Sequence, residues 1–95
     1  MEPRISVRHE KISEGSKEYI AESCSKLEKY YDGILDCEVI VDKTKQGFTA
    51  EFIVTVPHQT LAAKGEGDNL YKAVAEGESK VEVQLKKYHD KQVSH

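Results

Sequence analysis

Leu35-Asp36-Cys37-Glu38-Val39-Ile40-Val41-Asp42 alternates with a period of two, and Phe48-Thr49-Ala50-Glu51-Phe52-Ile53-Val54-Thr55-Val56 does so again. Successive side chains of a strand point to opposite faces, so each run reads as a half-buried β-strand. In the first run Leu35, Cys37, Val39 and Val41 form one face, with Asp36, Glu38, Ile40 and Asp42 on the other. In the second, Phe48, Ala50, Phe52, Val54 and Val56 share a face. Lys43-Thr44-Lys45-Gln46-Gly47 separates the two runs, and Gly47 suits a hairpin turn that needs positive φ. Pro57-His58-Gln59 then turns the chain into another strand, Thr60 to Gly65, with Leu61 and Ala63 inward. Connections this short favour an antiparallel meander.

Outward from this meander the period changes. Ile5 and Val7 alternate with Arg4, Ser6 and Arg8 in a short first strand after Pro3. Between it and the meander, Ile20, Cys24, Leu27 and Tyr31 recur at three- and four-residue steps, as on one face of a helix. Ser13 is placed to cap that helix, Glu14 suits its first turn, and Gly33 is its stop. After the meander, Gly65-Glu66-Gly67-Asp68-Asn69 breaks the strand, with Asp68 or Asn69 as the cap of a second helix. Leu70, Val74, Val81, Leu85 and Tyr88 form its buried stripe. The pattern predicts strands at 3–8, 34–43, 47–57 and 59–66 and helices at 14–32 and 69–91, with residues 92–95 a loose tail.

The order is β-α-β-β-β-α, an α+β fold within one domain spanning residues 1–95. A two-layer sandwich, with both helices on one face of a four-stranded sheet, buries both helical stripes. The first two strands, joined through a helix, are then parallel, and Ile40 and Ile53 lie on the outer sheet face. Gly77 and Glu78 interrupt the second helix's pattern. Either Gly77 permits a close approach, or the core is thin there. The absence of an apolar residue at 78 favours the thin core, in which case Gly77→Ala would stabilise by about 0.4–1 kcal/mol.

Composition excludes several classes. The chain has 95 residues, a net charge of −3 and 33% charged residues, too little apolar surface for a membrane span and too much for outright disorder. The start, Met1 to His9, has no signal-peptide hydrophobic region, so a cytoplasmic location is expected. Cys24 and Cys37 read as buried thiols. With His9, His58, His89 and His95 they make no metal-ligand spacing. No nucleophile–base pair stands out, and Gly65-Glu66-Gly67 lacks both the dinucleotide fingerprint and the phosphate-loop Lys-Ser/Thr. No catalytic residue, metal ligand or cofactor is assigned, and neither DNA nor a membrane is expected as a partner.

Charge layout says more. At 100° per residue, Lys72, Lys80, Lys87 and Lys91 occupy one flank of the second helix, Lys86 the adjoining surface, and Glu78 and Glu82 the other flank. A basic flank can dock on phosphates; a solvated, ion-paired helix surface is the plainer reading. Tyr30, Tyr31, Tyr71 and Tyr88 can stack on bases or pack in the core.

Four segments in order carry a family resemblance. Lys26-Leu27-Glu28-Lys29-Tyr30-Tyr31, followed by Asp32, resembles the Lys-Leu-Glu-x-Tyr-Phe ending of the first helix in short ribosome hibernation promoting factors, also called ribosome-associated inhibitor A or protein Y. Glu51 with Val56-Pro57 resembles that family's third strand, and Asn69-Leu70-Tyr71-Lys72-Ala73-Val74 the opening of its second helix. Gln84-Leu85-Lys86-Lys87-Tyr88-His89-Asp90-Lys91 resembles that helix's ending. Val83, His89, Val93 and Ser94 stand where the family is often basic, and Gly77 and Glu78 where it is apolar.

The resemblance implies a fold similar to double-stranded RNA-binding domains and a non-enzymatic factor that silences translation in stress or stationary phase. Its partner would be the small ribosomal subunit and its rRNA, gripped near the decoding region where messenger and transfer RNA would lie. Short forms act together with a ribosome modulation factor, and this chain resembles the short class. Matching positions are Lys26, Lys29, Tyr30, Lys80, Gln84, Lys86, Lys87 and Lys91. The alternative is a small homo-oligomeric α/β domain that self-associates through an edge strand or the outer sheet face.

Overall fold

Ser13 and Asn69 start the two helices, each through its side-chain oxygen. In the computed structural model, which describes residues 3–93, Ser13 Oγ accepts from the Ser16 N–H at 3.0 Å and Asn69 Oδ1 from the Lys72 N–H at 2.9 Å. These bonds satisfy donors that a helix leaves unpaired at its start. The elements are β1 (Arg4–Arg8), α1 (Glu14–Tyr30), β2 (Asp36–Thr44), β3 (Gly47–Val56), β4 (Gln59–Gly67) and α2 (Leu70–Val93), the expected order. The sheet runs β1-β2-β3-β4, with β1 parallel to β2 and the other neighbours antiparallel.

Register follows from the turns. Thr44 pairs with Gly47 and Val56 with Gln59, so each hairpin closes on two residues, Lys45-Gln46 and Pro57-His58. Gly47 has φ +146°, and a Cβ there would lie 2.3 Å from the Gly67 carbonyl oxygen, so only glycine fits. Pro57 supplies a fixed negative φ, and His58 takes φ +71° in the following position.

One apolar layer joins sheet and helices. Ile20, Cys24 and Leu27 of α1 meet Cys37, Val39 and Val41 of β2 and Phe52 and Val54 of β3, while Val74, Val81 and Leu85 of α2 complete it. All are essentially inaccessible to solvent, and burial of such a side chain stabilises by about 1.5–3 kcal/mol. Ile40 and Ile53 lie half-buried on the outer face, as the alternation requires.

The structure corrects the sequence reading at several points. Leu35 does not join the core face; it is 62% exposed, and Ile34 packs against the core instead. Leu35 N donates to Thr55 O at 2.8 Å, but the regular strand begins only at Asp36, so the alternation does not reach back to 35. Helix α1 ends at Tyr30, two residues before the expected 32, where the Tyr31 N–H closes on Leu27 O at 3.0 Å. Gly33 then takes φ +89°. Helix α2 runs to Val93, so the expected tail begins within the helix; its last residues, Ser94 and His95, lie outside the described residues.

The thin-core reading of Gly77 is also overturned. A Cβ on Gly77 would lie 2.8 Å from Ala50 O and 2.9 Å from Phe52 Cδ1. A Cβ on Gly65 would lie 2.2 Å from Gly77 N and 2.3 Å from Ala73 O. Helix α2 is pressed on β3 at Gly77 and on β4 at Gly65, and backbone stands where a methyl would go.

Cys24 and Cys37 are buried free thiols, with Sγ atoms 3.0 Å apart between α1 and β2. The hydrogen bond to Cys37, then burial, push the Cys24 thiol far above its ordinary pKa, with Glu28 and Glu78 adding to the effect. The thiolate is the reactive form, so the Cys24 sulfur should be inert in the native state, and burial keeps reagents from Cys37.

Two outcomes follow from this packing. Gly77→Ala should destabilise by about 1–3 kcal/mol, with a lower denaturation midpoint at unchanged slope, because the core has no room for the methyl. A raised midpoint would refute the close approach. In a colorimetric thiol titration of the reduced protein, neither Cys24 nor Cys37 should react until denaturant unfolds the chain; fast labelling of the folded protein would contradict the buried pair.

Candidate nucleic-acid interface

Strand β4 is a sheet edge, and an open edge is a template for pairing with another chain. Helix α2 caps it with side chains four residues apart. The Glu66 N–H donates to Glu76 Oε1 at 3.1 Å, Lys80 Nζ to Lys64 O at 3.2 Å, and Gln84 Nε2 to Ala62 O at 2.7 Å. Tyr88 donates its hydroxyl to Pro57 O at 3.2 Å. Lys80 Nζ also lies 3.2 Å from Glu76 Oε1, joining two rungs of this ladder.

Two of the expected site residues, Lys80 and Gln84, are therefore partly engaged within the fold. Lys80 remains 55% exposed, and an ammonium has three donors, so part of its capacity stays free. Gln84 keeps its amide oxygen as an acceptor. Beside them Lys87 and Lys91 stand exposed on the same flank. Gln84, Lys87 and Lys91 line a groove of about 230 Å³ together with Gln59, Leu61 and Tyr88.

The remaining expected residues lie elsewhere. Lys26 and Tyr30 line a separate groove between the helices, about 490 Å³, facing Tyr31, Glu78 and Glu82. That groove is acidic on its α2 side. Burial, then the charges of Glu82 and Asp90, push the Tyr31 phenol above its ordinary value. Tyr30 is 65% exposed and free to present its ring. Lys29 and Lys86 are exposed on the solvent sides of their helices. The structure thus brings Lys80, Gln84, Lys87 and Lys91 to one flank of α2 and Lys26 with Tyr30 to the other.

At the start of β1 the Arg4 charge meets carboxylates of β2. Arg4 bonds Asp36 and lies 3.6 Å from Glu38, and His9 Nδ1 lies 2.8 Å from Asp42 Oδ1. The Arg4 and His9 bonds hold Asp36 and Asp42 below the usual carboxylate range. Sequence reasoning missed Gln59, which has no periodic or charge signal and reaches the groove only because the second hairpin folds it beside α2. Among the described residues no group of three His, Cys, Asp or Glu side chains is placed to hold a metal ion, and no helix is long and apolar enough to cross a membrane.

The ladder has a pH signature. The Glu66 backbone N–H, then Lys80, lowers the Glu76 carboxyl below its ordinary value. A lowered folded-state pKa gives stability that is present above the unfolded value and is lost as pH falls through the folded one. The denaturation midpoints of the parent and of Glu76→Gln should therefore converge on acidification from about pH 7 to about pH 3. A constant gap would show that the Glu76 charge does not support the edge.

The chain is similar over nearly its whole length to several known proteins. A ribosome hibernation promoting factor from Pseudomonas putida is 28% identical over 94 residues, covering 99% of this chain and 92% of the relative. A ribosome-associated factor Y from Haemophilus influenzae is 30% identical over 90 residues, 95% of this chain and 84% of the relative. The structure of a ribosomal subunit interface protein from Coxiella burnetii superposes with a TM-score of 0.86 at 26% identity, covering 94% and 98% of the two chains. Residues 4–93 match the model of one family throughout, which bears out the resemblance carried by the helix endings: the chain belongs to the Sigma 54 modulation protein / S30EA ribosomal protein family.

Proposed function

We propose that this protein is a non-enzymatic ribosome hibernation factor of the cytoplasm. It binds the small ribosomal subunit near the decoding region and denies messenger and transfer RNA their place during stress or stationary phase. The observation that carries this is the lysine-bearing flank of α2, Lys80, Lys87 and Lys91, set beside a groove with Gln84 at its wall. Ammonium groups grip phosphate through charge-assisted hydrogen bonds, and an amide adds a neutral one. The names of the Pseudomonas, Haemophilus and Coxiella relatives point to the ribosome as well.

Lys26, Lys29 and Tyr30 supply a second contact region on α1, and Lys86 extends the α2 surface toward it. A net charge of −3 is compatible with this because the cations are gathered locally while Arg4 is neutralised by its own carboxylates. A ribosome modulation factor is the proposed companion in pairing inactive ribosomes. The capped β4 edge weighs against self-association through that strand.

Cosedimentation with small subunits tests the reading. Binding should fall steeply between about 50 and 200 mM salt, since released counterions drive phosphate contacts. Lys86→Ala with Lys87→Ala should weaken it further while changing stability by less than about 0.5 kcal/mol, both side chains being exposed. Failure of the parent to sediment with ribosomes at low salt would reject the proposal.

A further inference from the structure

The groove between the start of β4 and the C-terminal half of α2 has a composition that lysines alone do not explain. Its floor is Leu61, 5% exposed, and one wall is the half-buried Tyr88. Its polar groups are the amides of Gln59 and Gln84, and its rim is Lys87 and Lys91. Gln84 is held by its Nε2 bond to Ala62 O at 2.7 Å, and Tyr88 by its hydroxyl bond to Pro57 O at 3.2 Å. Two of the lining side chains are thus fixed before any ligand arrives.

We infer that this groove is a nucleotide subsite that takes one unstacked base of single-stranded RNA, with Lys87 and Lys91 on the flanking phosphates. The assignment rests on the reading of the chain as an RNA-binding factor and makes it specific to a place and a strand state. A splayed base needs an apolar or aromatic surface for its ring face and amide groups for its edge, with cations for its backbone. The groove offers these in order: the Tyr88 side chain for the face, Gln59 and the free Gln84 oxygen for the edge, the two lysines for phosphate. A paired base in a duplex keeps its faces stacked and its Watson–Crick edge occupied, so duplex RNA cannot seat a base in the groove and meets mainly the lysines.

Binding of a fluorescein-labelled single-stranded RNA of about ten nucleotides, and of the same sequence as a duplex, tests this by anisotropy across a salt series. The parent should prefer the single strand. Gln59→Ala, an exposed position, should lower single-strand affinity about tenfold at unchanged salt slope and leave duplex binding alone. Lys87→Ala with Lys91→Ala should instead reduce the single-strand salt slope by about 1.4, two contacts at about 0.7 each. Equal binding of both RNAs by the parent, or an undiminished single-strand affinity in Gln59→Ala, would overturn the subsite. Cosedimentation of the parent with small subunits keeps the two proposals apart. Ribosome binding without a single-strand preference removes the subsite alone, and single-strand preference without ribosome binding removes the ribosomal reading alone.

Discussion

Two glycines, Gly65 of β4 against the α2 backbone and Gly77 of α2 against β3, set the distance between helix and sheet on which the rest of the structure depends. With a side chain at either position the helix would have to lift from the sheet. The ladder from α2 to the free edge of β4 needs contact distances of 2.7–3.2 Å along three turns of helix. A helix displaced by the thickness of a methyl would lose those bonds. Core packing and edge protection are therefore one constraint, met by the absence of two side chains.

The charges are sorted as well. Cations whose carboxylates lie at hand are used internally: Arg4 on β2 and Lys72 against Asp68 at 3.2 Å, while Lys80 is shared between Glu76, the Lys64 carbonyl and solvent. Exposed pairs of this kind contribute little to stability, but they remove charge from the surface available to a partner. Lys87 and Lys91 lie past the last acidic rung, and no ion pair engages them among the described residues. An acidic protein can thereby present a basic edge to phosphate, because local arrangement outweighs the sum.

The groove between the helices shows the opposite balance. Glu78 and Glu82 face Lys26 and Tyr30, and burial, then the charges of Glu82 and Asp90, raise the Tyr31 phenol there. Tyr19 and Tyr71 meet edge to face at 4.9 Å where α1 and α2 cross, so Tyr71 is an aromatic contact between helices before it is a surface for bases. The two flanks of α2 thus differ in chemistry: one is cationic and amide-lined, the other acidic and aromatic.

Periodicity was sufficient for the element order, the antiparallel meander and most of the core, because a period of two or of 3.6 residues follows from backbone geometry and needs no partner to be read. Ser13 and Asn69 were legible for the same local reason. Lysines on one flank of a helix were legible too, since a helical wheel is a property of one element. Leu35 was misplaced because alternation says which face a residue takes within a strand but not where the strand begins. Gly77 was misread because a missing side chain looks the same in sequence whether it leaves a void or admits a neighbour; only the positions of Ala50 and Phe52 separate the two. Likewise, whether Lys80 and Gln84 reach outward or back to β4 depends on a strand that arrives from elsewhere in the chain. Local geometry is written into the order of residues, while the use made of each donor is decided by what tertiary packing brings within about 3 Å of it.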